Sequence, residues 1–372
     1  MTKVLCAATA LFLCLGRSPN GEQIGARATG NERFLITMNG LHGYIDKAGT
    51  IVIPPKYTVA GEFRENRAFV GRDWRLYGFL DPAGREIIPM RFSGGASFSE
   101  GMALVSVIQT IEGGSGHSDI GFVNPSGRWA IPPNRSRFSW ADDFHEGLAL
   151  ARAEKTGDKV GFINKRGQWV IPPQLDWAEP FSEGVAATAA SGGKRGFVDR
   201  TGGFVIPPTF EEVHSFSGGL ALAYQEPCKP LFIDHSGKVV IRAPGDFATA
   251  FREELSIVEI DGRCGLGGKY GYMDRSGALT IAPQYTSVGP FSEGLAAVRV
   301  GDKWGFINRT GTLVIPPRFE NTAAGAPGPF RSGLARTYSR IPGDRPPNAF
   351  AMADLQAGYV NTRGEYVWSP TY

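Results

Sequence analysis

One short pattern recurs nine times along the 372 residues and constrains the fold more than any other property. It reads Gly-aromatic-apolar-Asp/Asn-x-x-Gly, then an apolar run reaching Pro, then Phe-Ser-Glu-Gly-Leu-Ala. The clearest copy runs from Lys303-Trp304-Gly305-Phe306-Ile307-Asn308 through Gly311 to Leu313-Val314-Ile315-Pro316-Pro317. Copies start at Gly43, Gly78, Gly121, Gly161, Gly196, Leu231, Gly271, Gly305 and Gly358, in steps of 35, 43, 40, 35, 35, 40, 34 and 53 residues. A period near 35 with insertions belongs to repeat architectures.

Each copy predicts strands. Position two is always aromatic and position three always apolar, from Tyr44-Ile45 to Tyr359-Val360. Consecutive strand residues point to opposite faces, so both faces of this strand are apolar. The following Asp or Asn, with Gly three residues later, describes a type I turn closed by a positive-φ Gly. The next run, as in Ile51-Val52-Ile53 or Phe204-Val205-Ile206, reads as a strand buried on both sides. Pro-Pro is expected to end it, because Pro cannot donate to a ladder. Phe-x-Glu-Gly then introduces a third strand, such as Met102-Ala103-Leu104-Val105. The product is a three-stranded antiparallel meander, too small to be stable alone.

With Lys303-Trp304-Gly305 as its namesake triplet and looser copies at Lys159-Val160-Gly161, Lys194-Arg195-Gly196 and Lys269-Tyr270-Gly271, the chain resembles the WG-repeat (KWG-repeat) family, common in bacterial proteins. The resemblance spans residues 34–372 and implies a β-rich repeat fold with no catalytic residues to carry over. The expected fold class is all-β: about nine meanders in an open, solenoid-like array, with a propeller-like ring as the alternative. Three strands per unit, nine units, and complete first and last meanders favour the open form.

Residues 1–16 start with Lys3 and continue through a short apolar stretch, as a signal peptide does; 17–33 read as a linker. The expected location is therefore outside the cytoplasm: periplasmic, cell-surface or extracellular. Thirteen apolar residues are too few to span a bilayer. Net charge is only +3 with both signs interspersed, which leaves no basic footprint for nucleic acid. Beyond the leader two cysteines remain, Cys228 and Cys264, in matching turns of neighbouring repeats. An oxidising compartment would favour their pairing.

Chemistry is sparse. Glu100, Glu146, Glu183 and Glu293 occupy one equivalent site in several repeats, which suits a turn or strand-edge role rather than a catalytic pair. The five histidines show no metal-ligand spacing, and no motif requires a cofactor. The reading is of a non-enzyme with no catalytic residue and no metal site. Trp140 and Trp177 stand at the same point of adjacent repeats, where other copies carry Val59, Gly94, Glu212, Ser287 or Asn321. A position that accepts polar residues is at the surface, so the two Trp would form a ledge, with Asp142, Asp143 and Glu179 beside it, for a sugar or a peptide. The largest insertions, Gln109–Asp119, Arg263–Lys269 and Ser339–Ala357, fall in one turn of the unit, and insertions of repeat proteins often mark the binding face. The expected function is a scaffold binding a protein or glycan. The alternatives are an envelope carbohydrate-active enzyme of propeller type and a structural spacer.

Overall fold

The computed structural model describes residues 31–109, 117–134, 138–154, 157–189, 193–322, 324–340 and 355–369. The leader at 1–16, nearly all of the 17–33 linker and most of the first and last insertions lie outside them. Every regular element described is a β-strand, and the strands form nine small antiparallel sheets. We number these blades 1 to 9, at residues 34–57, 59–92, 94–131, 140–175, 177–210, 212–242, 247–285, 295–320 and 334–368.

The sequence unit straddles two blades. The Leu-Ala strand pairs with the Gly-aromatic strand of the following copy, as Ala68–Gly71 does with Tyr77–Leu80, and the Ile-Pro strand Glu86–Phe92 completes the sheet. Six blades add a fourth, innermost strand, such as Val59–Ala60 or Trp177–Ala178. In blade 8 this strand shrinks to the bridge Val288–Val298, with Gly289-Pro290 next to it. Several inner strands are only two residues long and contain or lead into Gly or Pro, as in Val59–Ala60 before Gly61, Gly94–Gly95, and Trp177–Ala178 before Pro180.

The outer strand corrects two expectations. Pro-Pro does not end it: Ile51–Tyr57 runs straight through Pro54 and Pro55, with register shifts around Tyr44. An edge strand tolerates Pro because its outward N–H needs no partner. Nor is the apolar run buried on both sides. Ile53 is buried while Ile51 is exposed, and Phe204, Val205, Leu313 and Val314 are likewise exposed on the outer wall.

The bulge at Pro-Pro explains the Gly of the repeat. A β-carbon on Gly305 would stand 2.6 Å from the Ile315 carbonyl, and one on Gly43 would stand 2.5 Å from that of Ile53. Blade 6 supplies the control. There Leu231 replaces Gly, the partner reads Ile241-Arg242-Ala243-Pro244, and Leu231 and Phe232 pair with Arg242 and Ile241 without a shift. Gly305→Ala is therefore expected to destabilise the chain by about 1–3 kcal/mol through overpacking. Replacing Leu231 by Ala should instead cost only its lost packing. Denaturant midpoints of the two variants check this, and an unshifted midpoint for Gly305→Ala would count against the steric account.

The Asp/Asn of the unit holds its own turn: Asp46 Oδ1 accepts the N–H groups of Ala48 and Thr50, both at 2.9 Å. Gly84 of such a turn, at φ +82°, lies on Ile53 of the preceding blade, and Gly127 lies on Ile88. Blades also clasp through aromatics. In most blades the position-two ring meets the inner Phe of the next edge-on, as Phe79–Phe98 (4.9 Å), Phe162–Phe181 (4.7 Å) and Tyr272–Phe291 (4.8 Å), while Phe197–Phe216 and Phe232–Phe251 are tilted.

These contacts close on themselves. Tyr359 of blade 9 meets Phe34 of blade 1 at 5.5 Å, and Gly49 of blade 1 abuts Val367 of blade 9. Phe34, Ile36, Ile45, Leu334 and Tyr359 share one buried cluster. The chain is thus a closed nine-bladed ring, a β-propeller; the alternative replaces the open array. Complete end sheets do not preclude closure, because here it is made by side chains rather than by a shared strand.

Arg336 and Tyr359 supply a polar part of that closure. Blades 2 and 5 each receive an inner-strand N–H on the second strand, for example Gly61 N–H on Phe69 O at 2.8 Å and Glu179 N–H on Ala187 O at 2.9 Å. The matching acceptor in blade 1 is the carbonyl of Leu35, and there Arg336 Nη2 (2.9 Å) and the Tyr359 hydroxyl (2.8 Å) donate instead. Arg336 also faces Glu62 of blade 2 at 3.7 Å.

Candidate functional site

Because strands alternate in direction, the ring has two rims. One carries the Glu-Gly turns and the Asp-x-x-Gly turns. The other carries the loops between second and third strands, the starts of the inner strands and the disulfide.

The turn rim is tied blade to blade. Glu65, Glu100, Glu146, Glu183, Glu253 and Glu293 all have positive φ, between 46° and 54°. Their carboxylates accept the N–H groups of Gly101, Gly147, Gly184, Gly219, Gly294 and Gly333 in the next blade, at 2.7 to 3.0 Å. Lys165, Arg200 and Arg309 add ion pairs to Glu100, Glu146 and Glu253. Partial burial raises Glu100, but the Gly147 N–H and Lys165 outweigh it and hold the carboxyl below its ordinary value. Blade 6 has Gly218 at this position, and Arg275 donates to its carbonyl at 2.7 Å. At the seam Ser332 donates to Glu32 at 2.5 Å. The recurring acids are clamps between blades.

The loop rim is irregular. Trp140 is 40% exposed at the head of its inner strand. Trp177 is half-buried: it packs against the cluster of Phe197, Phe216 and Val213, and Arg195 stands over its ring at 4.5 Å. Among the described residues no ring contact joins the two Trp. Asp142 Oδ1 accepts the N–H of Asp143 at 2.9 Å. Burial, then the charge of Asp142, pushes Asp143 up to about 6 against the opposing pull of Arg64. Glu179 is engaged with blade 6, accepting the Ser215 N–H at 2.7 Å and hydroxyl at 2.6 Å. Of the five candidate ledge residues only Trp140 is exposed; Asp142, Asp143, Trp177 and Glu179 are partly buried, and the Trp177 ring is covered by Arg195.

Cys228 and Cys264, in loops of blades 6 and 7, are joined as a disulfide with Cα atoms 4.9 Å apart. Sequence reasoning missed Asp246, Glu259 and Tyr270 beside it; a Glu within the strand Ser256-Ile257-Val258-Glu259-Ile260 was the available signal. A shallow groove of about 430 Å³ between blades 2 and 3 is lined by Ile88, Pro89, Arg91, Gly127, Arg128 and Trp129. Among the described residues no cluster of three or more His, Cys, Asp or Glu could hold a metal ion. No described helix is long and apolar enough to cross a membrane.

The family model for the WG containing repeat matches residues 43–73, 77–107, 120–156, 161–189, 196–226, 232–264, 270–304 and 304–337. The chain belongs to the WG-containing repeat family. The eight matches fall within the nine-fold pattern, and the copy starting at Gly358 lies beyond the last of them. Among solved structures, a eukaryotic initiation factor is similar at 11% identity and TM-score 0.59, over 90% of this WG-repeat chain and 94% of that one. At this identity the likeness concerns the fold alone. BamB from Moraxella catarrhalis aligns at 10% identity and TM-score 0.42, over 90% of this chain and 97% of its own. No curated protein sequence matches the WG-repeat chain.

Proposed function

We propose that this WG-repeat propeller is a non-enzymatic scaffold that works outside the cytoplasm and offers its loop rim to a protein or a glycan. The difference between the rims carries this reading. The turn rim is bonded blade to blade in one repeated way, whereas the loop rim varies in length, charge and aromatic content from blade to blade. Repeat folds characteristically vary on the face that binds. Trp140, exposed beside Asp142, has the amphipathic character of an interface anchor. The apolar leader and the disulfide between Cys228 and Cys264 support export to an oxidising compartment.

The test uses mature protein from a secreting host, on a glycan array and in a pull-down from envelope extracts. Trp140→Ala is expected to weaken capture by about tenfold or more, as loss of an aromatic anchor does, with the melting temperature unchanged. Undiminished capture by that variant would overturn the assignment of the rim. Turnover of a glycan would overturn the non-enzymatic reading, and an intact Met1 in a cytoplasmic fraction would overturn export.

A further inference from the structure

On the loop rim, blade 2 carries a short finger between its second and third strands, Arg72-Asp73-Trp74-Arg75-Leu76. Its tip is Trp74, 69% exposed, with Leu76 exposed beside it. The finger is held in shape by its own bonds. Asp73 Oδ1 accepts the N–H groups of Arg75 at 3.1 Å and Leu76 at 3.2 Å. Those two bonds hold the Asp73 carboxyl below its ordinary value. The Tyr77 hydroxyl donates to the Trp74 carbonyl at 3.2 Å, and the Tyr77 ring stacks on Phe69 at 5.0 Å. Gly71 leaves room for that ring, because a β-carbon there would stand 2.6 Å from it.

Folding does not call for an indole at this tip. Trp74 has φ +63°, a left-handed conformation that favours Gly and strains a bulky side chain. The other left-handed non-glycine residues described are Asn, Asp, Glu, Ser and the two disulfide cysteines. Trp74 gains little burial in exchange. A strained backbone that displays a large apolar ring to solvent points to a partner outside the chain.

Its surroundings indicate which partner. The finger is convex and encloses nothing, whereas small-ligand sites are concave. Leu41 of blade 1 and Ile108 of blade 3 are exposed at the same rim, so three successive blades present apolar tips. Cations stand among them: Arg72 and Arg75 on the finger, and Lys56 at the end of the blade 1 outer strand, all exposed. Lys56 and Arg72 lie over one ring, that of Tyr57, at 5.5 and 6.0 Å, and Arg72 also faces Glu86 at 3.5 Å. Indole rings settle at the headgroup level of a bilayer, apolar tips enter the acyl boundary, and Lys and Arg meet anionic headgroups.

We infer that the Trp74 finger seats blades 1–3 on an anionic lipid surface, with Trp74 and Leu76 entering the interface and Arg72 and Arg75 against the lipid phosphates. This is attachment at a surface, not a crossing. It stands apart from the Trp140 reading, and either can fail alone.

The experiment mixes the mature protein with vesicles of phosphatidylcholine alone or of phosphatidylcholine with phosphatidylglycerol, and measures co-sedimentation. Quenching of tryptophan emission by brominated lipid gives a second readout. The mixed vesicles are expected to bind the protein more tightly than the neutral ones, less so at high salt. Trp74→Gly suits the left-handed backbone, so the melting temperature should hold or rise. The same variant should weaken vesicle binding about tenfold or more and reduce the quenching. Replacing Arg72 and Arg75 together by Ser should remove the preference for anionic lipid, and Trp140→Ala should bind vesicles as wild type does. Four outcomes would overturn the inference. Two are no co-sedimentation with either vesicle and equal binding to both. The third is binding untouched by Trp74→Gly or lost instead with Trp140→Ala. The last is lipid-free self-association that Trp74→Gly abolishes, which would assign the finger to a second copy of the chain.

Discussion

Deleting residues 334–372 is expected to abolish cooperative unfolding of the whole chain, not merely to shorten it. An open array would lose one unit and its single interface, and the remaining units would still melt together. In the ring the same deletion strips blade 8 of one neighbour and blade 1 of the other. It uncovers the Phe34, Ile36 and Ile45 face and removes Arg336 and Tyr359 from the Leu35 carbonyl. The measurement is a thermal melt followed by near-ultraviolet circular dichroism, which reports fixed aromatic packing. A truncated protein with a sharp transition and retained near-ultraviolet signal would mean that the seam contributes little.

Arg336→Ala is the point-mutation counterpart and should cost about 1–3 kcal/mol, because it removes a charged donor to the Leu35 carbonyl at the seam; the ion pair to Glu62 is partly exposed and adds little. At this place in the second strand, blades 5, 6 and 8 carry Ala187, Leu222 and Ala297, and there an inner strand supplies the N–H. Blade 1 has no such strand among the described residues, so the guanidinium replaces a backbone donor. Arg336→Lys keeps the charge but offers a point donor in place of the planar fork, so it should recover only part of the loss. Urea midpoints for both variants, beside a Tyr359→Phe control, check the assignment. Equal stability of wild type and Arg336→Ala would refute it.

Much of the fold was legible because the repeat writes each local rule nine times. The Asp/Asn turns, the aromatic-apolar strand and the structural character of Glu100 or Glu183 all followed from spacing. Closure was not legible. It depends on Arg336 standing where its equivalents are apolar, and on Phe34 replacing an inner Phe, and neither signals itself without coordinates. Burial of the outer strand was misread because Ile51-Val52-Ile53 satisfies the pattern of a two-sided strand, while its place on the wall exposes the first residue. Pro-Pro misled for a related reason: the rule that excludes Pro from ladders has its exception at edges. Of the candidate site, the Trp positions were visible as a shared register point, but the Arg195 cap on Trp177 was not. The carboxylates beside the disulfide were hidden because a buried Glu in a strand looks like any solvated one.

The seam also sets an order of events during synthesis. The Leu35 carbonyl and the Arg336 that satisfies it are 301 residues apart. At translation rates of about 5–20 residues per second, blade 1 waits roughly 15–60 s for its partner to be made. Throughout that interval the nascent chain carries an unsealed apolar flank, next to a leading sheet that is already complete. A chaperone or translocation factor that shields Phe34 and Ile36 would therefore act on the first blade, until the last one emerges and displaces it.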